Sequence, residues 1–155
     1  MKIELLFLGK TKDSFLSEGI DEYYSRLTHY VSVSVKILKV KGKAQWNDMI
    51  TREQEGRLLL GQVPAGAFKV VLDSRGRQFT SEEMAALIDG WEQQGMKQVS
   101  FLIGGALGLS NEVVQGADLL FSLSRMTFTH DMTRLFLLEQ LYRAFTIKAG
   151  EKYHK

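Results

Sequence analysis

Residues 68–103 read FKVVLDSRGRQFTSEEMAALIDGWEQQGMKQVSFLI, and the order of patterns within them decides the fold class. A β-branched run from Phe68 to Leu72 leads through a polar turn to a helical pattern from Ser81 to Gln94, with Thr80 placed to cap it, and then to a second apolar run, Val99 to Ile103. FKVVLD and VSFLI are nearly continuous in their apolar character, as strands covered on both faces are. A helix joining two such strands returns the chain to the same end of the sheet, so the pair runs parallel.

The alternation continues to either side. Ile3 to Leu8, Val33 to Val40 and Leu119 to Leu123 are further short strand-like runs. Helical patterns cover Ser14 to His29, with Asp13 as a candidate cap, Asn47 to Leu60, and a short stretch after Ser110. The last helix starts near Thr129 or Asp131 and extends to about Lys148, where Gly150 stops it. Its Leu135, Leu138, Tyr142 and Phe145 recur at helical spacing and belong to a core or a subunit interface. The expectation is one α/β domain over residues 1–155: a small, parallel-rich sheet with helices on both faces.

Composition narrows the chemistry. The 155 residues include no Cys and one Pro, with 20 Lys and Arg against 18 Asp and Glu. Without Cys there are no disulfides, iron–sulfur clusters or thiol nucleophiles. His29, His130 and His154 are scattered and form no HExxH pair, so no dedicated metal site is expected. Glu4 breaks the apolar run of MKIELLFLGK, which reads as a first strand rather than a secretory leader. No apolar stretch approaches the roughly 18 residues that span a membrane, and a cytoplasmic protein is expected. Charge is uneven: residues 1–43 carry eight basic and five acidic groups, residues 44–124 six and ten, and residues 125–155 six and three. Both ends are basic, as a solvated face or an RNA contact would be.

Open α/β sheets bind ligands beyond the carboxyl ends of their strands. Three such places stand out: Leu72 to Gly76, Ile103 to Ser110, and Leu123 to Phe128. The glycines at 104, 105 and 108 let backbone approach a ligand closely, but their spacing is neither the dinucleotide fingerprint nor a phosphate loop, and a tight connection explains it equally. The final residues gather His130, Arg134, Glu139, Arg143, Tyr153 and His154. Glu139 and Arg143 fit a surface ion pair, and His130 with Arg134 could simply brace the last helix. A terminal Tyr-His-Lys nevertheless combines a stacking ring, an imidazole and an ammonium, groups that RNA recognition uses.

FLIGGALGLS (101–110) and FSLSRMTFTHDMTRLFLLEQLYRAFTIKAGEKYHK (121–155), together with IELLFLGKTK (3–12) and VVLDSRGRQFTSEEMA (70–85), closely resemble the ribosomal large-subunit pseudouridine N3-methyltransferase (RlmH) family of the SPOUT superfamily. The likeness spans nearly the whole chain, and the pattern LSxMTxxHxxxRxxLxEQxYRA before a terminal YHK is its most specific part. The resemblance implies a C-terminal trefoil knot, S-adenosylmethionine (SAM) as cofactor, a homodimer, and methylation of a pseudouridine in the helix 69 stem-loop of 23S rRNA on the assembled ribosome. Its cofactor contacts fall on Leu72, Gly104, Leu123, Ser124, Arg125, Met126, Thr127 and Phe128. For the transfer itself, His154 or His130 is expected to accept a proton or orient the base, Arg134 and Arg143 to contact phosphate or carbonyl groups, and Tyr153 to place the base. The rival expectations are a catalytically silent ribosome-binding factor of the same fold and a nucleotide-binding α/β protein, which the missing phosphate-loop lysine disfavours.

Overall fold

A computed structural model describes residues 1–40 and 47–155; Lys41 and Lys43, counted above in the basic amino-terminal segment, lie outside the described residues. The element order is β1 (Lys2–Leu8), α1 (Ser14–Leu27), β2 (Ser32–Leu38), α2 (Asp48–Gln62), β3 (Phe68–Arg77), α3 (Ser81–Gln93), β4 (Gln98–Ile103), α4 (Asn111–Gln115), β5 (Leu119–Phe121) and α5 (His130–Lys148). The strands form one sheet in the order β2-β1-β4-β3-β5, and every pairing is parallel.

Strand periodicity divides the core in two. Ile3, Leu5, Phe7, Val70, Val99, Phe101 and Ile103 face one cluster, which Ile20 of α1, Ile88 and Trp91 of α3, and Leu137, Leu138 and Leu141 of α5 complete. Leu6, Leu8, Leu38, Val71 and Leu102 face the other, closed by Leu59 of α2 and Val113 of α4. Each fully buried aliphatic or aromatic side chain contributes about 1.5–3 kcal/mol, so the alternation fixes both register and face. Glu4 tolerates its central position because Lys36 Nζ lies 2.8 Å from its carboxylate and Ser100 and Gln98 border it.

The helix starts follow local chemistry. Thr80 and Glu83 form a reciprocal capping box on α3, and Asn47, Ser110 and Thr129 cap α2, α4 and α5 by accepting from Ile50, Val113 and Met132 backbone N–H groups. Asp13 occupies the cap position of α1 without making the side-chain bond expected of it. β3 outruns its apolar residues and β5 stops two residues short of Leu123. Phe121 is partnered by Leu72 and again by Arg77, with the intervening residues looped out between the two pairings. At Gly76 the chain presses so closely on β5 that a Cβ would lie 2.6 Å from the backbone of Leu120 and Phe121. Only glycine fits that crossing.

Candidate active site

The loops that leave β3, β4 and β5 converge on one cleft. Its walls are Leu72, Asp73 and Ser74 of β3, Ile103 at the end of β4 with Gly104, Gly105 and Leu109 after it, and Phe121 at the end of β5 with Leu123, Met126, Thr127 and Phe128 after it, joined by His130 and Thr133 from the first turn of α5. The cleft holds about 170 Å³ of accessible space behind an open mouth, less than the roughly 300–1,000 Å³ of sites that enclose a drug-sized ligand.

Each wall has a local cause. A Cβ on Gly104 would sit 2.8 Å from Leu109 Cδ2, and one on Gly105 would sit 3.0 Å from Glu55 Oε2 of α2, so the glycines let the loop lie flat against its neighbours. Gly108 N–H donates to Gly105 O at 3.1 Å and closes the turn between them. In the third loop Ser122 Oγ donates to Ser124 O at 2.8 Å, and Met126 N–H donates to Ser124 Oγ at 3.0 Å. Phe128 is held by the ring of Phe136, 4.9 Å away between centroids. Asp73 is gripped by Arg75, whose Nε and Nη2 each donate to its carboxylate at 2.8 Å. That fork holds the Asp73 carboxyl below the usual carboxylate range.

The structure therefore brings together Leu72, Gly104, Leu123, Met126, Thr127, Phe128 and His130. Ser124 shapes the third loop from behind and Arg125 is exposed outside the lining. Asp73, Ser74, Ile103, Leu109, Phe121 and Thr133 complete the walls without having been singled out as site residues. The signal for most of them was already present, since Asp73, Ser74, Ile103 and Leu109 lie in the post-strand segments that α/β geometry marks.

Arg134 stands apart from an RNA contact. It is fully buried, with Nη2 donating to Leu8 O at 2.7 Å, Nη1 donating to Thr11 Oγ1 at 3.0 Å and pairing with Asp131 Oδ1 at 2.9 Å, and its guanidinium 4.8 Å over the Phe7 ring. Burial lowers its pKa and Asp131 opposes that shift. Here it braces α5 against the end of β1. Asp131 adds to the brace by accepting from Lys12 N–H at 3.3 Å and lies 3.3 Å from His130 Nε2.

Arg143, Tyr153 and His154 form a separate group. Beyond Lys148 the tail folds back along α5 and docks on its own chain. Tyr153 Oη donates to Glu139 at 3.1 Å and lies 3.2 Å from Tyr23 Oη, while Arg143 pairs with Glu139 and covers the Tyr153 ring at 4.8 Å. His154 Nε2 is 2.7 Å from Glu82 and Nδ1 is 3.4 Å from Arg143 Nη1. Both ring nitrogens are thus occupied by partners on the same chain. None of the three lines the cleft. Glu139 lies nine positions along α5 from His130, about 13 Å of rise, so the docked tail sits away from the cleft.

An all-parallel sheet with a cleft at its strand ends, lined by polar and apolar groups in equal measure and walled by three loops, defines an α/β domain with the geometry of a small-ligand site. The profile described as "Predicted SPOUT methyltransferase" matches residues 1–154. The chain is 56% identical over 155 residues to the Ribosomal RNA large subunit methyltransferase H of Desulfotalea psychrophila, covering all of both chains, and 46% identical over 154 residues to that of Syntrophotalea carbinolica, covering 99% of each. Among solved structures, a methylase-family protein of Haemophilus influenzae superposes with a TM-score of 0.54 at 13% identity, covering 99% of this chain and 70% of that one. A Legionella pneumophila protein solved in complex with the cofactor SAM superposes at 0.51 with 14% identity, covering 93% and 66%. The chain belongs to the SPOUT methyltransferase family.

Proposed function

We propose that this chain is a SAM-dependent methyltransferase that methylates N3 of a pseudouridine in the helix 69 stem-loop of 23S rRNA, acting in the cytoplasm on the assembled ribosome as a homodimer. The observation that carries the reading is the cleft itself: three converging segments at one end of the sheet, two glycines that keep one of them flat, and walls of mixed apolar and polar character, in a chain alignable end to end with proteins named for large-subunit rRNA methylation. The residues present suit SAM. Leu72, Leu123, Met126 and Phe128 offer apolar surface to an adenine, and loop backbone groups can meet its polar edge. The wrap of residues 73–77 beside β5 agrees with a threaded carboxy-terminal half.

SAM supplies an electrophilic methyl on a sulfonium. The chain must then hold a nitrogen in line with that methyl and remove the imide proton of N3. His130 is the imidazole at the cleft wall, oriented by Asp131, and is assigned to that proton. Tyr153, His154 and Arg143 lie away from their own cleft, so any part they take is at the cleft of a second copy, with Tyr153 placing the base and Arg143 and His154 contacting phosphate or carbonyl groups. The basic ends add salt-sensitive attraction to the RNA backbone.

Mass spectrometry of rRNA nucleosides from cells lacking the protein tests the reading. Loss of one N3-methylpseudouridine, restored by the native chain and not by a His130→Ala variant, is the expected result. An unchanged level in cells with no second enzyme of this activity removes the substrate assignment. Restoration of ribosome function by a variant unable to bind SAM points to a silent binding factor instead.

A further inference from the structure

The walls of the cleft carry one acidic side chain among the described residues, Asp73. It follows Leu72 in β3, and its side chain is 13% exposed. What holds it is Arg75, two residues on, whose side chain is 65% exposed and reaches back over the loop. Asp73 is largely shielded while the Arg75 arm lies in solvent, so a released guanidinium regains its hydration. The backbone N–H of Arg75 donates to Asp73 Oδ1 at 2.9 Å and keeps the carboxylate oriented whether or not the guanidinium stays.

Resting on the reading of the cleft as a SAM site, we propose that Asp73 is the anionic anchor for the positive charge of the bound methyl donor, and that Arg75 is the partner it gives up on binding. The donor carries a sulfonium and an ammonium against one carboxylate and is net cationic. Every other wall of the cleft is apolar or uncharged except for His130, which brings no negative charge. A carboxylate on the cleft wall, partly shielded from water, favours a cation held within a few ångströms of it.

Titration calorimetry of the intact protein with three ligands tests this. SAM carries both cationic groups, S-adenosylhomocysteine retains only the ammonium, and 5′-methylthioadenosine has neither. Asp73→Asn keeps the shape and the Arg75 backbone contact. It is expected to weaken SAM at least tenfold and to leave methylthioadenosine within twofold of native; an effect on S-adenosylhomocysteine as large as that on SAM assigns the anchor to the ammonium, and a smaller one assigns it to the sulfonium. Arg75→Ala is expected to bind SAM as well as the native protein or better. Equal weakening of all three ligands by Asp73→Asn, no weakening of any, or a parallel loss in Arg75→Ala overturns the proposal and makes the pair a loop brace. A native protein that binds none of the three ligands refutes the SAM reading of the cleft and the anchor with it, whereas native binding with an indifferent Asp73→Asn refutes the anchor alone. Thermal melts of both variants confirm that each is folded.

Discussion

At the scale of the residue, Arg134 shows how burial decides a side chain's role. Arg134 has no exposure; its two terminal nitrogens have exchanged water for Leu8 O, Thr11 and Asp131, and its Nε is buried without a hydrogen-bond partner. Arg134→Ala leaves the Asp131 carboxylate and the Leu8 carbonyl without it, so urea denaturation is expected to show a loss of about 3–5 kcal/mol. Arg134→Lys is expected to recover less than half of this, because a single ammonium cannot reproduce the fork. The sequence placed His130 and Arg134 on one face of a helix, which is correct. It could not tell that the face turns inward one turn below the cleft, since an arginine so close to the basic terminus carries no mark of burial. Gly104 is the opposite case, legible from its type. Gly104→Ala drives a Cβ against Leu109, a cleft wall, and is expected to cost about 1–3 kcal/mol of stability and to weaken SAM binding by at least tenfold in calorimetry.

Among the elements, α5 has a cap at one end that borders the cleft and a tail at the other that does not. Thr129 fixes the first turn, from which His130 and Thr133 reach the cleft wall. Thr129→Ala is expected to lose about 1 kcal/mol in denaturation and to weaken SAM, whereas Thr80→Ala, capping α3 away from the cleft, loses similar stability without changing affinity. At the other end, hydrogen bonding to Glu151 raises the Tyr30 hydroxyl to about 12, and burial, Tyr23 and Glu139 raise Tyr153 as well. A raised folded-state pKa means that the docked tail contributes stability in full below the ordinary tyrosine value near 10 and loses it as pH climbs through the folded values. Ultraviolet titration is expected to show Tyr30 ionising near 12, and deletion of residues 151–155, which removes Glu151, to lower that value. The strands and helices themselves were legible because their periods are local. The ends of β3 and β5 were not, since the extension to Arg77 depends on pairing with Phe121 across more than forty residues, a contact that no local pattern encodes.

For the whole molecule, the decisive feature is the distance between the two groups of residues that the carboxy-terminal motif holds so close in sequence. His130 looks into the cleft, while Arg143, Tyr153 and His154 are docked away from it against Glu139 and Glu82. On the proposed function, a reaction using both groups needs two chains, and closed twofold pairing would supply each cleft with the other chain's tail. Sedimentation equilibrium is expected to give a dimer of the 17.6 kDa chain. Complementation then tests the division of labour. His130→Ala impairs the cleft and His154→Ala impairs the tail, so each homodimer is deficient at both of its sites. When the two variants are mixed and allowed to exchange subunits at random, half of the dimers are mixed, and each mixed dimer holds one site with both lesions and one with neither. Methyl transfer to ribosomes is therefore expected to recover to about a quarter of the native rate. If cleft and tail of the same chain served one site, no mixed dimer would contain an intact one, and the mixture would stay as inactive as its components.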